Sequence, residues 1–478
     1  MFKIKGETGE YFTISQSNGY ISLNRSFVLP NTTSSNLGII YKGTNRFLHT
    51  YHTTEENGYN TFLGVNAGNF SLLSQSRFNT GVGPYSLSSL TTGYMNTALG
   101  SGCLQYISTG YENTAVGVSA LNTNSSGYQN VAIGNQSLFA NSTGKNNTAL
   151  GSYSLNNNNN GNFNTSVGSN SLFSNISGAE NTSIGFQSLH DNTTGEDNTA
   201  LGSSSLYSNT TGNYNVAVGN YSSHYSITGS ENTAIGYQSL FSNLSNSGNT
   251  AVGYNSLYSS TGWQNTAVGH HSLQNNTGNY NTAIGYNSGS TVTTGANLTL
   301  IGIDANPSSP TANDQITLGN QFVSSLRCNV QSITSLSDAR DKKNIMELSL
   351  GLEFITKLHP RQFNWDKREW YDDNISDGSK MKEEPTAGFI AQELDSAQRT
   401  AGAEWLNLVL KDNPEKWEAT YGNLLPVMVK AIQELKAEND KLKSEIETMK
   451  SVEERLARLE NTVKERNKLK EVKLTENK

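Results

Sequence analysis

A serine and a lysine lie five residues apart in the segment SLSDARDKKNI, at Ser337 and Lys342. A serine hydroxyl becomes a nucleophile when a neighbouring base takes its proton, and a lysine can be that base where burial lowers its pKa. The residues alone also allow a structural interpretation, in which Ser337 is a helix N-cap and Asp338 lies favourably in the first turn. The spacing by itself leaves both interpretations open.

Other groups that could do chemistry are scarce upstream of this segment. Residues 51–300 contain only ten charged side chains, whereas glycan hydrolysis needs paired carboxylates. Adjacent His270 and His271 are expected on different sides of a strand, which disfavours chelation within one chain. We therefore expect no metal, no other cofactor and no turnover enzyme in this region. Its one acidic cluster, best interpreted as a solvated loop, is Asp191, Glu196 and Asp197.

Aromatic residues are spread along the same region. Their rings can stack on sugars, or they can pack within the fold, and the sequence does not separate these interpretations. The prominent ones are Tyr214, Tyr254, Trp263 and Tyr280.

Composition limits the class of protein. The chain has 478 residues, 34% of them hydrophobic and 15% charged, and its formal net charge is −7. Both fractions are low for a globular protein, and low charge argues against disorder. An acidic chain is a poor non-specific nucleic-acid binder, and no stretch approaches the roughly 18 apolar residues of a membrane span. We therefore expect no nucleic-acid partner, no membrane insertion, and synthesis in a cytoplasm, since no signal-peptide pattern opens the chain.

A repeat of 16 or 17 residues dominates the first two thirds of the chain. The unit reads roughly NTAVGxxSLxxNTTGxx, and a fixed short period is typical of a solenoid. Fifteen motifs are recognised, beginning at Asn60, Asn79, Asn96, Asn113, Asn130, Asn147, Asn164, Asn181, Asn198, Asn215, Asn232, Asn249, Asn265, Asn281 and Asn297.

Each unit predicts two short strands and two turns. Thr-Ala-aliphatic alternates, which puts Ala on one face and the Thr and the aliphatic residue on the other. The following Gly is expected at positive φ, Ser-Leu suggests a second short strand, and Asn-Thr-Thr-Gly is turn sequence. Stacking neighbouring coils buries what one coil cannot, and identical Asn and Ser side chains are expected to form hydrogen-bonded ladders.

One coil contributes little core: an Ala, an aliphatic residue and a Leu. Three such rolls that share an axis would bury more. The repeat resembles the left-handed parallel β-rolls of trimeric adhesins of the Yersinia type and the Asn-Thr-Ala-x-Gly repeats of phage and bacterial fibre proteins. The resemblance implies a mainly β protein with a trimeric parallel β-solenoid shaft, and it leaves the handedness open.

Three further blocks follow Ser337 in order. They are LHPRQFNW at 358–365, AGFIAQEL at 387–394 and YGNLLPVMVKAIQEL at 421–435. Together with S-D-x-R-x-K, they closely resemble the C-terminal intramolecular chaperone of phage tail spikes and fibres, an endosialidase-type self-cleaving peptidase. The resemblance covers residues 337 to about 450 and implies a small α+β domain that trimerises, guides folding of the fibre and then cuts itself off.

The same resemblance implies the roles of individual residues. The serine of S-D-x-R-x-K is the nucleophile and the lysine its base, here Ser337 and Lys342, so the scissile bond is Leu336–Ser337. The neighbouring Lys343 leaves the assignment of the base to spacing alone. Supporting roles fall to Asp338, Arg340, Gln392 and Glu393.

The C-terminal segment has a heptad pattern of apolar residues from Ile432 to Val463. Asn439 occupies an a-type position, and one stammer separates Met449 from Val452. The pattern favours a short parallel coiled coil. An amphipathic helix that lies on the preceding domain is the alternative.

The sequence thus divides into five predicted regions, with a small β domain first. These are 1–50, an N-terminal attachment segment; 51–302, the shaft; 303–336, a connector; 337–430, the chaperone and autopeptidase; and 431–478, a coiled-coil helix.

Together these features predict a homotrimeric fibre or tail-spike protein. Its expected partners are a viral or phage-tail-like particle at the N-terminal end and a host-surface glycan or protein receptor, so its expected location is that particle, after assembly in the host cytoplasm. Autoproteolysis is the one expected activity. Two alternatives are a bacterial cell-surface trimeric adhesin, which predicts an export signal, and a polysaccharide depolymerase, which predicts grouped carboxylates on the shaft.

Overall fold

The structure, a computed structural model, forms two compact units, Met1–Leu326 and Arg327–Lys478. It describes residues 2–6, 9–14, 21–22, 29–30, 32, 38–52, 58–327 and 337–475. Leu336, on one side of the predicted scissile bond, lies outside the described residues.

The first unit begins with antiparallel strands. Strands β1 (Phe2–Gly6), β2 (Gly9–Ile14) and β3 (Ile21–Ser22) form one sheet. Strands β4 (Ile40–Lys42) and β5 (Asn45–His49) form a hairpin, and β5 pairs antiparallel with the first strand of the repeat region. This hairpin therefore covers the N-terminal edge of the ladder that follows, an edge that would otherwise expose unpaired backbone groups.

The repeats form a parallel β-solenoid with one three-residue strand per coil. Each strand pairs with the strand one coil later, and residues with the same place in the unit lie side by side, as Ala132 lies beside Ala149. The strands are β6 Thr61–Leu63, β7 Thr80–Val82, β8 Thr97–Leu99, β9 Thr114–Val116, β10 Val131–Ile133, β11 Thr148–Leu150, β12 Thr165–Val167, β13 Thr182–Ile184, β14 Thr199–Leu201, β15 Val216–Val218, β16 Thr233–Ile235, β17 Thr250–Val252, β18 Thr266–Val268, β19 Thr282–Ile284, β20 Thr299–Ile301 and β21 Ile316–Leu318.

The strand alternation is as expected from the sequence. Ala132 is fully buried, while Val131 and Ile133 on either side face outward. The leucine of the Ser-Leu pair, such as Leu138, is also fully buried and shares the interior with the alanines. The aliphatic strand residue, which we expected in the coil's core, is instead on the outer surface: Ile133 is 39% exposed and Leu150 is 45% exposed.

Two other details of the repeat differ from expectation. Ser-Leu does not form a second strand, because Leu138 adopts φ 50° within a run of turns. The last motif is also displaced by one residue: Leu298, rather than Asn297, precedes β20, and its backbone N–H donates to Asn281 Oδ1 at 3.0 Å. Strand β21, inside the expected connector, pairs with β20 and continues the ladder.

Asparagine side chains form the expected buried ladder. Asn130 Nδ2 donates to Asn113 Oδ1 at 3.1 Å and to Gly144 O at 2.9 Å, and the Asn130 backbone N–H also donates to Asn113 Oδ1. The glycine after the strand has the expected positive φ. At Gly134, φ is 139°, and an added Cβ would lie 2.4 Å from the carbonyl oxygen of Gly151. The coils are therefore too close at this corner for any side chain.

A buried histidine holds the hairpin on the first coil. His49 is 2% exposed and packs against the rings of Phe62 and Phe70. Its Nδ1 accepts from the Tyr51 backbone N–H at 3.3 Å, so its Nε2 carries the proton that is donated to Ala67 O at 2.8 Å. Burial lowers the pKa of His49 to about 4.

Acid is therefore expected to weaken the N-terminal end of the solenoid. Because the pKa of His49 is about 4 when folded, compared with an ordinary value of 6.5, its contribution to stability is fully present above pH 6.5 and is lost as pH falls toward 4. The loss is about 3 kcal/mol. Thermal unfolding followed from pH 7 to pH 4 checks this. The His49→Phe variant should lose less stability over that range, and equal losses in the two proteins would refute the assignment.

The second unit is a small α+β domain followed by a long helix. Its helices are α1 Leu352–Ile355, α2 Ala391–Thr400 and α3 Leu425–Thr475, and its strands are β22 Arg361–Phe363, β23 Thr386–Gly388, β24 Val409–Leu410 and β25 Glu418–Ala419. One-turn 3-10 helices lie at Ala339–Asp341, Arg368–Trp370, Glu404–Leu406 and Tyr421–Leu424. The core is built from Phe354, Leu394, Leu408, Leu424 and Val427 with their neighbours.

Helix α3 is attached to the domain by its first turns. Val427 and Ala431 are buried, and Glu434 Oε2 accepts from the Leu352 backbone N–H at the start of α1 at 2.7 Å. From Leu435 to Val472 every residue is exposed. The alternative in which the helix lies on the domain therefore holds only for its first turns.

Removing the Glu434 carboxylate is expected to loosen α1 from α3. The Glu434→Ala variant leaves the Leu352 N–H without its charged acceptor, which costs about 1–3 kcal/mol of unfolding free energy. Urea unfolding monitored by tryptophan fluorescence of the second unit measures the loss. Glu438→Ala, one turn further along the exposed part of the helix, is the matched control. Equal shifts in the two variants would contradict this role for Glu434.

Candidate functional site

Ser337 and Lys342 flank a single 3-10 turn at the start of the second unit. The turn spans Ala339–Asp341, and its cap N–H, from Lys342, donates to Ala339 O. Asp338 is the N-cap, since its Oδ1 accepts from the Arg340 backbone N–H at 2.9 Å. The sequence interpretation with Ser337 as the cap is therefore displaced by one residue, and the Ser337 hydroxyl is left available for another partner.

That partner is Lys342. Its Nζ donates to Ser337 Oγ, and both residues are exposed. Lys343, the other candidate base, makes no hydrogen bond or ion pair within the described part of the chain. The geometry thus brings together the serine and the lysine that the motif selects, and their catalytic roles stay a prediction.

The two other charged members of the motif pair with each other. Arg340 Nη2 lies 2.5 Å from Asp338 Oδ2, and Arg340 Nε donates to both carboxylate oxygens of Asp338. Hydrogen bonds from Arg340 hold the pKa of Asp338 below its usual value. Asp338 therefore stays charged at mildly acidic pH, and the pair can fix the turn that joins Ser337 to Lys342.

The three downstream sequence blocks meet in space. Strand β22, from the first block, pairs antiparallel with β23, from the second. Tyr421, from the third block, accepts from the Phe389 backbone N–H at 3.1 Å, and its ring makes an edge contact with that of Phe389. An added Cβ on Gly388 would lie 2.8 Å from the Tyr421 hydroxyl, so the glycine permits this close approach. The blocks are thus parts of one packing unit.

Glu393 and Gln392 lie in the first turn of α2. Glu393 forms a bidentate ion pair with Arg361, with Oε1 2.8 Å from Nη2 and Oε2 3.0 Å from Nε. Arg361 holds the pKa of Glu393 below its usual value. Gln392 is exposed and lines a groove with Trp365 and Trp417. Among the described residues, no hydrogen bond or ion pair joins either side chain to residues 337–342, so their expected support of the dyad stays a prediction.

Sequence reasoning missed the buried carboxylate of this domain. Asp395 is 4% exposed and pairs with Arg399, at 2.5 Å, and with Lys411. The Gln398 side chain joins them by donating to Asp395 Oδ1 and accepting from the Leu408 N–H. The i, i+4 spacing of Asp395 and Arg399 was a local signal for this pair. Lys411 carried no such signal, because it comes from a later segment.

The sugar-processing and metal candidates of the shaft are not assembled into a site. Asp191 contacts His190 at 2.7 Å, and no contact joins it to Glu196 or Asp197 in the described residues. His270 and His271 lie in a turn rather than a strand, and their rings touch with centroids 4.2 Å apart, which corrects our expectation that they diverge. No group of three metal-ligating side chains occurs in the part of the chain that the structure describes.

Several aromatic residues stack along the solenoid. Tyr254 lies between Tyr237 and His270, with ring centroids 5.5 and 4.9 Å apart, so both faces of its ring are occupied. A sugar ring needs a free aromatic face, so packing is the better interpretation of Tyr254. The other three aromatic candidates are more than half exposed: Tyr214, Trp263 and Tyr280.

Comparison with known proteins finds a family match within the second unit. Residues 337–403 match the model of the family described as chaperone of endosialidase. The matched segment begins at Ser337 and contains the 3-10 turn, β22, β23 and α2. No curated protein and no solved structure matches the chain. No helix among the described residues is long and apolar enough to cross a membrane.

Proposed function

We propose that this chain is a homotrimeric fibre or tail-spike protein that attaches a virus or phage-tail-like particle to a host surface. Its C-terminal unit trimerises, guides the folding of the shaft and cleaves the chain between Leu336 and Ser337. The observation that carries the proposal is the Lys342–Ser337 hydrogen bond. It lies at the start of a segment that matches the endosialidase chaperone family, and that segment comes after the β-solenoid in the sequence.

An apolar stripe on the shaft supports a trimer. The outward aliphatic residue of each strand repeats at every coil, and none of the eight charged residues in the described range 58–300 lies in a strand. Burying the exposed part of one such side chain is worth on the order of 1 kcal/mol. The stripe is Leu63, Val82, Leu99, Val116, Ile133, Leu150, Val167, Ile184, Leu201, Val218, Ile235, Val252, Val268, Ile284, Ile301 and Leu318.

The stripe also favours one kind of partner. A surface can match sixteen equally spaced side chains only if its own contacts recur with the period of the coils, and a second copy of this chain has that period. Each coil would then meet the same coil of its neighbours around a shared axis. We therefore place the outer aliphatic stripe at the centre of the trimeric shaft.

Helix α3 supports the association of several copies in the second unit. Its apolar heptad residues are exposed, as Leu442 at 52% and Ile446 at 50% show. A long helix that exposes an apolar seam gains stability when the seams of several copies pack together. Asn439, at an a-type position, would then help to set the register.

Register explains why such a fibre needs a terminal chaperone. Adjacent coils present nearly identical strands, so a slip of one coil between copies changes few contacts, and register is weakly specified. A C-terminal unit that assembles first aligns the three chains. Cleavage afterwards prevents the chaperone from assisting the reverse reaction, which leaves the shaft kinetically trapped.

In our proposal, cleavage uses the two side chains in turn. Ser337 Oγ attacks the carbonyl carbon of Leu336 while Lys342 takes the hydroxyl proton. The C–N bond then breaks, the nitrogen of Ser337 receives that proton as an amine, and an ester joins Leu336 to Ser337 Oγ. Water hydrolyses the ester and leaves a carboxylate on residue 336 and a free amino group on residue 337.

Assembly supplies the remaining requirement. A lysine acts as a base near neutral pH where burial favours its uncharged form. Ser337 and Lys342 are exposed in the single chain, so in our proposal the assembled trimer covers them. Cleavage then follows assembly rather than preceding it.

Attachment is tested with the shaft itself. The cleaved protein is labelled, incubated with a panel of bacterial strains and measured as bound fluorescence. Saturable binding to a subset of strains, competed by unlabelled shaft, is the expected result. Uniform unsaturable adherence, or binding to no strain, would contradict attachment as the role of the shaft.

A further inference from the structure

Coil 215–231 of the solenoid lacks an interior side chain that its neighbours have. The neighbouring coils place a fully buried leucine in the interior, as at Leu206 and Leu240. Ser223 takes that place, is 1% exposed and has φ 51°, compared with 48° and 51° at the two leucines. The backbone at this position has therefore kept the conformation that it has in the neighbouring coils.

Other coils that lack this leucine are filled from elsewhere. At Gly68, an added Cβ would lie 2.5 Å from the ring of Phe62, which replaces the usual alanine. At Gly289, it would lie 3.0 Å from Leu300, which also replaces an alanine. Ser223 has no such compensation, because Ala217 and Ala234 remain alanines.

The same coil interrupts a second interior ladder. Asn192 Nδ2 donates to Asn175 Oδ1 at 2.8 Å, and Asn209 Nδ2 donates to Asn192 Oδ1 at 2.8 Å. The next residue of this ladder is Ser226, which has no amide to donate. Among the described residues, three buried atoms therefore have no hydrogen-bond partner here. They are Ser223 Oγ and Ser226 Oγ in this coil and Asn209 Oδ1 in the preceding coil.

Volume and polarity point to one ligand. A serine has two heavy atoms fewer than a leucine or an asparagine, so the two positions together lack four, which leaves room for roughly one or two water molecules. An unpartnered buried polar atom costs about 1–3 kcal/mol, and a water that bridges such atoms recovers much of that cost. The apolar core is also divided here, with one buried cluster reaching Ala217 and the next beginning at Ala234.

We propose that coil 215–231 contains a buried hydration site. One or two ordered waters donate to Asn209 Oδ1 and exchange hydrogen bonds with Ser223 Oγ and Ser226 Oγ. The coil that contains Ser260 is the instructive comparison: its ladder serine is also unpartnered, but it keeps its interior leucine, Leu257, and so it lacks the second half of the space.

A crystal structure of the full-length protein at about 2 Å resolution or better tests the site directly. The expected result is a density peak within hydrogen-bond distance of Asn209 Oδ1 and of at least one of the two serine hydroxyls. The absence of such a peak, in a map that shows ordered surface waters elsewhere, would overturn the proposal.

Variants provide a second, independent measurement. Ser223→Leu combined with Ser226→Asn restores both ladders, so the peak should vanish and the melting temperature of the shaft should rise by a few degrees. The reverse change is Asn175→Ser, which removes the ladder amide from a coil that keeps its interior leucine, Leu172. This variant opens only the polar half of the space and should lower the melting temperature of the shaft. A restored variant whose melting temperature falls, or whose density peak remains, would contradict a water-filled space in this coil.

Discussion

The Ser337→Ala variant is expected to remain a single intact chain with a mass close to the 51.8 kDa of the full sequence. The wild-type chain is expected to separate into residues 1–336 and 337–478. Without the hydroxyl no acyl transfer from Leu336 can begin, so the cleavage rate should fall by roughly a thousandfold or more. The fold should survive, because Asp338, rather than Ser337, caps the turn. Intact mass under denaturing conditions measures the result.

The two adjacent lysines provide the matched control. Lys342→Met removes the group that contacts Ser337 Oγ, and it should block cleavage as fully as Ser337→Ala. Lys343→Met makes the same chemical change one residue later and should cleave at the wild-type rate. If Lys343→Met blocks cleavage and Lys342→Met does not, the base has been assigned to the wrong residue.

The ester step adds a chemical signature to the same experiment. Hydroxylamine attacks an ester at neutral pH, so cleavage in its presence should leave a hydroxamate instead of a carboxylate at residue 336. A cleaved wild-type chain that never carries this modification would argue against attack by Ser337 on the preceding carbonyl and for direct attack by water.

The Leu150→Glu variant is expected to prevent the shaft from assembling. In a trimer with the stripe at its centre, three carboxylates would meet at one level of the axis, and each would lose its hydration without gaining a partner. The expected cost is several kcal/mol per trimer. In the single chain the same change is mild, because Leu150 faces outward and is 45% exposed. Sedimentation should therefore detect a folded monomer or an aggregate in place of a trimer.

Asn160→Glu is the control for this experiment. Asn160 belongs to the same coil and is exposed, but it lies in the turn that follows the interior leucine, away from the stripe. This variant should assemble as the wild type does. If Leu150→Glu assembles equally well, the stripe does not face the axis.

Much of the solenoid could be predicted from its sequence, because each coil obeys local rules. The period located the coils, and strand alternation placed Ala132 inside. The turns were harder, because Leu138 adopts a left-handed conformation that bulky residues rarely occupy, and no propensity favours it there. The shift from Asn297 to Leu298 was missed since a neighbouring asparagine imitated the ladder residue.

The candidate site was only partly predictable. The motif selected Ser337 and Lys342, but Ser337 and Asp338 are both good capping residues, and only the three-dimensional turn shows that Asp338 is the cap. The contact of Glu434 with Leu352 spans 82 residues and had no local signal. Contacts between distant segments depend on packing, and local sequence patterns do not record packing.

Native and denaturing mass spectra of one wild-type preparation test the central claim most directly. We expect a native shaft of three copies of residues 1–336, and denatured chains that end at Leu336 or begin at Ser337. A native species of one intact 51.8 kDa chain, folded yet neither trimeric nor cleaved, would contradict it.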